Sequence, residues 1–129
     1  MTKKILIVDD EPNIVTALEF LLQRSGYEVL SAQNGEMALK QVEQHLPDLV
    51  LLDVMMSLKS GYEVCQRMRE RPDWQHIKII MLSAKGREAE VNKGLSLGAD
   101  SYVTKPFSNE DLVAKIDALL GSAAKPGGT

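Results

Sequence analysis

Two kinds of hydrophobic pattern alternate along the chain. Short runs of consecutive apolar residues are typical of strands that are buried on both faces of a parallel sheet. Such runs occur at residues 5–8, 27–30, 49–52, 79–82 and 101–103. The second and fifth runs are more mixed in polarity, which favours positions at the edges of the sheet.

Between these runs, apolar residues recur at helical spacing. We predict a first helix that begins near Pro12, whose missing N–H suits a first turn, and that ends at Ser25 and Gly26. Its buried face would consist of Ile14, Ala17, Leu18, Leu21 and Leu22.

Four further helices follow from the same spacing. The second ends before Pro47, the third and fourth cover residues 62–70 and 88–97, and Ser108 is the expected N-cap of the fifth. The buried stripe of the second helix would be Met37, Ala38, Gln41 and Val42, and that of the fifth Leu112, Ile116, Leu119 and Leu120.

The order of elements is therefore strand and helix repeated five times. Parallel neighbours need crossover helices, so this order predicts an α/β fold with a five-stranded, doubly wound parallel sheet. We expect the flavodoxin-like strand order 2-1-3-4-5, with five helices flanking the sheet. Residues 1–121 would form this domain, and the small, polar residues 122–129 a flexible tail or the start of a linker.

Composition narrows the class of protein. The 129 residues are 44% hydrophobic and 26% charged, which fits one globular domain. The net charge of −3 gives no general attraction to nucleic acid or to an anionic membrane. Cys65 is the only cysteine, which excludes a disulfide framework. The apolar runs are too short for a signal peptide or a membrane span, so we expect a cytoplasmic protein.

Residues with reactive side chains follow four of the five predicted strands. Asp9 and Asp10 follow the first strand, Asp53 the third, Ser83 the fourth, and Lys105 the fifth. Ligands of open α/β sheets bind at the carboxyl ends of the strands, where the strand order reverses. These side chains should therefore meet at one edge of the sheet.

Each of these residues also has an ordinary structural interpretation. Asp9 and Asp10 could be acids at a helix start, and Asp53 could be a turn residue. Ser83 could cap the next helix, and Lys105 could be a solvated lysine. The conjunction of all of them at strand ends favours a shared functional site.

Four segments at these spacings carry a family resemblance. They read Ile-Leu-Ile-Val-Asp-Asp-Glu-Pro, Leu-Leu-Asp-Val-Met-Met, Met-Leu-Ser-Ala and Tyr-Val-Thr-Lys-Pro-Phe. Together they resemble the receiver domain of two-component response regulators, and the resemblance covers residues 3–120.

The resemblance implies a role for each reactive residue. Asp53 would accept a phosphoryl group, Ser83 would bind one of its oxygens, and Lys105 would pair with it. Tyr102 and Ser83 would form the switch, and the bond before Pro106 would be cis. The resemblance implies Mg²⁺ (or Mn²⁺) as the cofactor, bound by Asp10, Asp53, the backbone carbonyl of Met55, and Asp9 directly or through water.

A simple estimate supports the need for a metal ion. At about 4 Å and an effective dielectric of about 20, each pair of like charges costs about 4 kcal/mol. Lys105 alone cannot offset the repulsion between three carboxylates and an incoming phosphoryl group. A divalent cation with hard oxygen ligands can.

The function implied by the resemblance is phosphorelay signalling rather than enzymatic turnover of a substrate. A sensor histidine kinase or a phosphotransfer protein would donate the phosphoryl group. The fourth helix, fifth strand and fifth helix would then act on a downstream protein or an attached effector domain, or form a phosphorylation-dependent dimer. This segment would bind neither nucleic acid nor a membrane.

Alternative functions remain open at this point. They are a receiver-like module that binds partners without phosphorylation, a flavin-binding electron carrier and an aspartyl-nucleophile phosphatase. The acidic segment after the first strand opposes flavin phosphate binding, and Met55 stands where such phosphatases carry their second acid.

Three further features complete the interpretation. Ser57 stands where the family commonly has proline, which puts the rigidity of that loop in doubt. Arg67, Arg69 and Arg71 are expected to form a solvated basic face, and Cys65 to pack within the third helix.

Overall fold

A five-stranded parallel sheet organises the computed structural model, which describes residues 2–54, 60–84 and 88–121. The strands are β1 (Lys4–Val8), β2 (Glu28–Ala32), β3 (Leu49–Asp53), β4 (Lys78–Ala84) and β5 (Ser101–Lys105). The helices are α1 (Pro12–Arg24), α2 (Gly35–His45), α3 (Gly61–Arg69), α4 (Glu88–Ser96) and α5 (Asn109–Leu120), with a 3₁₀ turn at Pro72–Trp74. Met55, Ser57 and the predicted tail 122–129 lie outside the described residues.

The strand order is β2-β1-β3-β4-β5, with every neighbouring pair parallel. This confirms the predicted fold class, strand order and edge positions of β2 and β5. The strands extend beyond the apolar runs because backbone pairing continues into polar residues. In β5, Thr104 pairs with Ser83 and Lys105 with Ala84.

Alternate residues of the central strands face two separate hydrophobic cores, and burial of each large side chain stabilises the fold by about 1.5–3 kcal/mol. The core beneath α1 and α5 includes Ile5, Ile7, Leu18, Leu22, Leu49, Leu51, Ile80, Leu82, Val103, Leu112 and Ile116. The core on the opposite face, beneath α2, α3 and α4, includes Leu6, Val8, Ala38, Val42, Val50, Leu52, Val64, Cys65, Met68, Ile79 and Met81.

The helix boundaries follow local sequence signals. Pro12 occupies the first turn of α1, and the Ser108 hydroxyl accepts a hydrogen bond from the Asp111 N–H, which confirms its predicted role as N-cap. The third and fourth helices each lie within one residue of their predicted ends. None of the helices in the described part of the chain is long and apolar enough to cross a membrane.

Two residues predicted to be buried are exposed. Ala17 is exposed because α1 packs against the core through buried Leu18 and Leu22 and partly buried Ile14, Val15 and Leu21. Met37 lies in the first turn of α2 and is 43% exposed, because the helix packs through Ala38 and Val42.

The prediction that Arg67, Arg69 and Arg71 form a solvated basic face is wrong for Arg69, whose side chain is largely buried. Its guanidinium donates to the carbonyl oxygens of Gly98 (2.9 Å), Trp74 (3.2 Å) and Ile77 (2.8 Å). It also forms an ion pair with Asp100 at 3.0 Å. One planar cation thereby joins the end of α3 to the loops that precede β4 and β5.

We predict that Arg69→Met lowers the free energy of unfolding by about 2–4 kcal/mol, because it leaves carbonyl oxygens without their donor. Arg67→Met is the matched control. Arg67 is 54% exposed and pairs only with Glu63 among the charged groups described around it, at 3.6 Å, so its loss should cost about 0.5 kcal/mol or less. Urea denaturation of both variants measures the difference, and equal losses would show that Arg69 is an ordinary surface residue.

Candidate functional site

Carboxylates gather where β1 and β3 end, beside the point at which the strand order reverses. Asp9 follows β1 directly, and Asp53 is the last residue of β3. One oxygen from each of Asp9, Asp10 and Asp53 lies within 4.8 Å of the others. The parallel arrangement brings together acids that are more than forty residues apart in sequence.

The three acids differ in exposure. Asp9 is buried, Asp53 is 7% exposed, and Asp10 is exposed to solvent. The Asp9 Oδ1 accepts a hydrogen bond from the Glu11 N–H at 2.9 Å, and its Oδ2 accepts one from the Lys105 Nζ at 3.2 Å. Asp9 is thus fixed on both oxygens, and Asp10 forms the open side of the cluster.

Lys105 supplies positive charge at this site. Its Nζ lies 3.2 Å from the Asp9 Oδ2 and 3.4 Å from the Asp53 Oδ2. Burial lowers the pKa of Lys105, but the negative charges of Asp53 and Asp9 outweigh this effect and raise its pKa above the ordinary value. The peptide bond from Lys105 to Pro106 is cis, the isomer that the resemblance implied.

Ser83 lies inside β4 rather than at a helix start. Ser83 pairs within β4 up to Ala84, and no backbone N–H of a described residue donates to its Oγ, so the described residues give no support for a helix cap. Ser83 comes one residue after Leu82, the register partner of Asp53. Its Oγ is buried and finds no hydrogen-bond partner among the described residues. A buried hydroxyl beside a charged cluster is suited to an incoming oxygen ligand.

The cluster suits a divalent cation. Among the described residues, three carboxylates meet one ammonium group here, which leaves an excess of negative charge. Mg²⁺ prefers carboxylate and carbonyl oxygens, and Asp9, Asp10 and Asp53 offer such atoms in one place. The carbonyl of Met55, named above as a further ligand, lies outside the described residues.

Tyr102 lies on the face of the sheet that carries α4. Its register partner is Met81, and the next residue of this face, Thr104, pairs with Ser83. The Tyr102 ring is 38% exposed and lies 5.4 Å from the Lys115 Nζ. The Tyr102 ring therefore lies at the surface of the edge strand rather than within the core.

Two residues beside the site were missed by the sequence analysis. Thr104 lies next to Ser83, and the Gly61 N–H donates to the Val54 carbonyl oxygen at 3.1 Å. A glycine at the first position of a helix is the signal that could have drawn attention to Gly61.

Cys65 is unsuited to nucleophilic chemistry, because burial raises its pKa to about 11.

We predict that Lys105→Met destabilises the fold by about 3–5 kcal/mol near neutral pH, because it leaves the buried Asp9 without its cation. The folded-state pKa of Lys105 is raised, so its contribution is complete below the ordinary lysine range and is lost as the pH rises through that folded pKa.

The stability difference between wild type and Lys105→Met should therefore narrow only at strongly alkaline pH. Urea denaturation at several pH values from neutral upwards measures it, with Lys40→Met as the exposed-lysine control. A difference that already narrows near neutrality would contradict the ion pair.

Comparisons with known proteins agree with this geometry. The family model described as "Response regulator receiver domain" matches residues 5–117. The alkaline phosphatase synthesis transcriptional regulatory protein PhoP of Bacillus subtilis is 49% identical over 120 residues, which cover 93% of this chain and 49% of that protein. The phosphate regulon transcriptional regulatory protein PhoB of Rhizobium meliloti is 43% identical over 126 residues, which cover 98% of this chain and 55% of that protein.

The chain spans about half the length of these two curated relatives. Among solved structures, chemotaxis protein CheY4 of Vibrio cholerae superposes with a TM-score of 0.87 at 28% identity, covering 92% of this chain and 99% of that one. Sequence, fold and the acidic edge of the sheet thus lead to one conclusion: the chain belongs to the response regulator receiver domain family.

Proposed function

We propose that the chain accepts a phosphoryl group on the carboxylate of Asp53 and passes on the signal by changing one of its surfaces. One observation carries this proposal. The Asp53 carboxylate lies within 4.8 Å of two other carboxylates and 3.4 Å from the Lys105 Nζ, so it belongs to a cluster that could hold a cation and also contacts a positive charge.

The donor would be the phosphohistidine of a sensor histidine kinase or a phosphotransfer protein. An Asp53 oxygen forms the new bond to phosphorus as the bond from phosphorus to the imidazole nitrogen breaks. The imidazole keeps the bonding electron pair and takes up a proton from solvent. Because little covalent assistance is needed, positioning and charge stabilisation account for most of the acceleration.

Each residue of the site has a separate part in this proposal. Asp10 and Asp53, with the Met55 carbonyl and with Asp9 directly or through water, would hold Mg²⁺ or Mn²⁺. The bound ion would neutralise charge that develops on the phosphoryl oxygens. Lys105 would pair with one phosphoryl oxygen, and the Ser83 hydroxyl would donate to another.

The Ser83 hydroxyl connects the site to the signalling surface. Ser83, Thr104 and Tyr102 lie on the same face of neighbouring strands, and Tyr102 is exposed at the edge of the sheet. Movement of Ser83 towards a phosphoryl oxygen would change the space available to Tyr102. The affected surface would consist of α4, β5 and α5, and the change is a shift between two states.

The wider setting is also part of the proposal. The curated relatives are described as transcriptional regulatory proteins and are about twice as long as this chain, which supports an attached effector domain or a downstream protein partner. Dimerisation after phosphorylation is one form that the output could take. We place the protein in the cytoplasm, and the segment itself in contact with neither nucleic acid nor membrane.

We predict that acetyl phosphate labels the wild-type chain at Asp53 in the presence of Mg²⁺, and that EDTA lowers the labelling at least tenfold. Intact mass and borohydride trapping of the acyl phosphate measure its extent and position. Asp53→Asn should reduce labelling to background, whereas Asp73→Asn, which changes an exposed aspartate, should match wild type. Labelling that is unaffected by EDTA, or that persists at position 53 in Asp53→Asn, would contradict the proposal.

We also predict that phosphorylation changes the backbone amide chemical shifts of residues 88–107, because α4 and β5 belong to the proposed switch surface. Two-dimensional ¹H–¹⁵N spectra with and without acetyl phosphate and Mg²⁺ measure the change. Asp53→Asn under the same conditions separates phosphorylation from salt and donor effects. Shifts confined to the immediate neighbours of Asp53 would refute the coupling.

A further inference from the structure

The beginning of α3 lies against the backbone of Asp53 more closely than any side chain permits. A Cβ at Gly61 would collide with the Asp53 carbonyl oxygen and would lie 3.0 Å from the Asp53 carbonyl carbon and the Val54 Cα. Asp53 ends a buried strand, so these backbone atoms cannot move aside as a flexible side chain could. The hydrogen bond from the Gly61 N–H to the Val54 carbonyl oxygen holds the two segments together.

Backbone conformation does not explain this glycine. Gly26, Gly98 and Gly121 have positive φ angles, where glycine is favoured, but Gly61 is not among the glycines with that conformation. Gly61 belongs to α3, where alanine would be the better helix former. The absence of a side chain is therefore required by the space beside Asp53.

We propose that Gly61 is a positioning residue for Asp53, and this inference rests on the proposed function of Asp53 as phosphoryl acceptor. The carbonyl that Gly61 approaches and the reactive carboxylate belong to the same residue. A push on that carbonyl rotates the peptide plane and displaces the carboxylate relative to the Lys105 Nζ, which lies 3.4 Å from it. A displacement of about 1 Å in such a site can lower a rate about 100-fold.

The test compares Gly61→Ala with a variant that is strained elsewhere. Gly26→Ala forces alanine to a φ of +96°, with nothing within 4 Å of the new Cβ, so it strains the chain through the backbone alone. Labelling by acetyl phosphate is measured as a rate per folded molecule, alongside the melting temperature and the Mg²⁺ concentration for half-maximal rate.

We expect Gly61→Ala to lower the labelling rate at least tenfold at saturating Mg²⁺ and to raise the half-maximal Mg²⁺ concentration at least threefold. Gly26→Ala should lower the melting temperature and keep the wild-type rate and Mg²⁺ dependence. A wild-type rate in folded Gly61→Ala would overturn the inference and leave the proposed function intact. Absence of labelling in the wild-type chain would overturn both.

A second variant covers the case in which Gly61→Ala does not fold. The Ser60 Oγ accepts a hydrogen bond from the Glu63 N–H at 3.3 Å and caps α3. Ser60→Ala loosens the same helix start without adding an atom beside Asp53. Slower labelling with a higher half-maximal Mg²⁺ concentration supports the positioning role. An unchanged rate and an unchanged half-maximal Mg²⁺ concentration count against it.

Discussion

The contact between the buried carboxylate of Asp9 and the ammonium group of Lys105 is the constraint on which the site depends. A carboxylate withdrawn from water is costly unless an opposite charge and hydrogen bonds accompany it. Asp9 follows β1 and Lys105 ends β5, and β3 and β4 lie between these strands in the sheet. The 3.2 Å ion pair therefore forms only when the whole sheet is assembled, and the same lysine then reaches Asp53 at 3.4 Å. Folding and preparation of the site are one event.

The polar groups at the amino ends and at the carboxyl ends of the strands are paired differently. At the amino edge, the Asp48 carboxylate accepts from the Lys4 N–H at 2.8 Å, and its main chain bonds to Lys4 and Lys78. That edge is satisfied by its own groups and is suited to stability. At the carboxyl edge, like charges converge and the buried Ser83 hydroxyl finds no partner among the described residues. The carboxyl ends of the strands thus keep an excess of negative charge and a buried hydroxyl that a ligand could bind, which is typical of functional sites.

The sequence made the fold and the site predictable for a shared physical reason. Apolar runs of strand length, separated by helical periodicity, admit few arrangements, and Asp9, Asp53 and Lys105 stand at the strand ends that this arrangement brings together. Arg69 was not predictable, because three neighbouring arginines give no sign that one of them reaches the carbonyls of distant loops. The contact of the exposed Tyr102 ring with Lys115 of α5 likewise joins residues of two different elements. Such contacts are set by tertiary packing, which local patterns do not encode.

The alternation of side chains along β3, β4 and β5 provides a route by which the proposed phosphorylation would reach a distant surface. Asp53 and Lys105 share the face of α1 and α5, whereas Ser83 belongs to the face of α4, with Tyr102 on the neighbouring strand. A phosphoryl group on Asp53 that binds both Lys105 and Ser83 would contact residues of both faces of the sheet at once. The opposite side of α4 is anchored, since Arg69 binds the Gly98 carbonyl oxygen just beyond its last turn. In the proposed switch, a displacement that begins at Ser83 would therefore be directed towards β5 and the exposed side of α4, where a partner could bind.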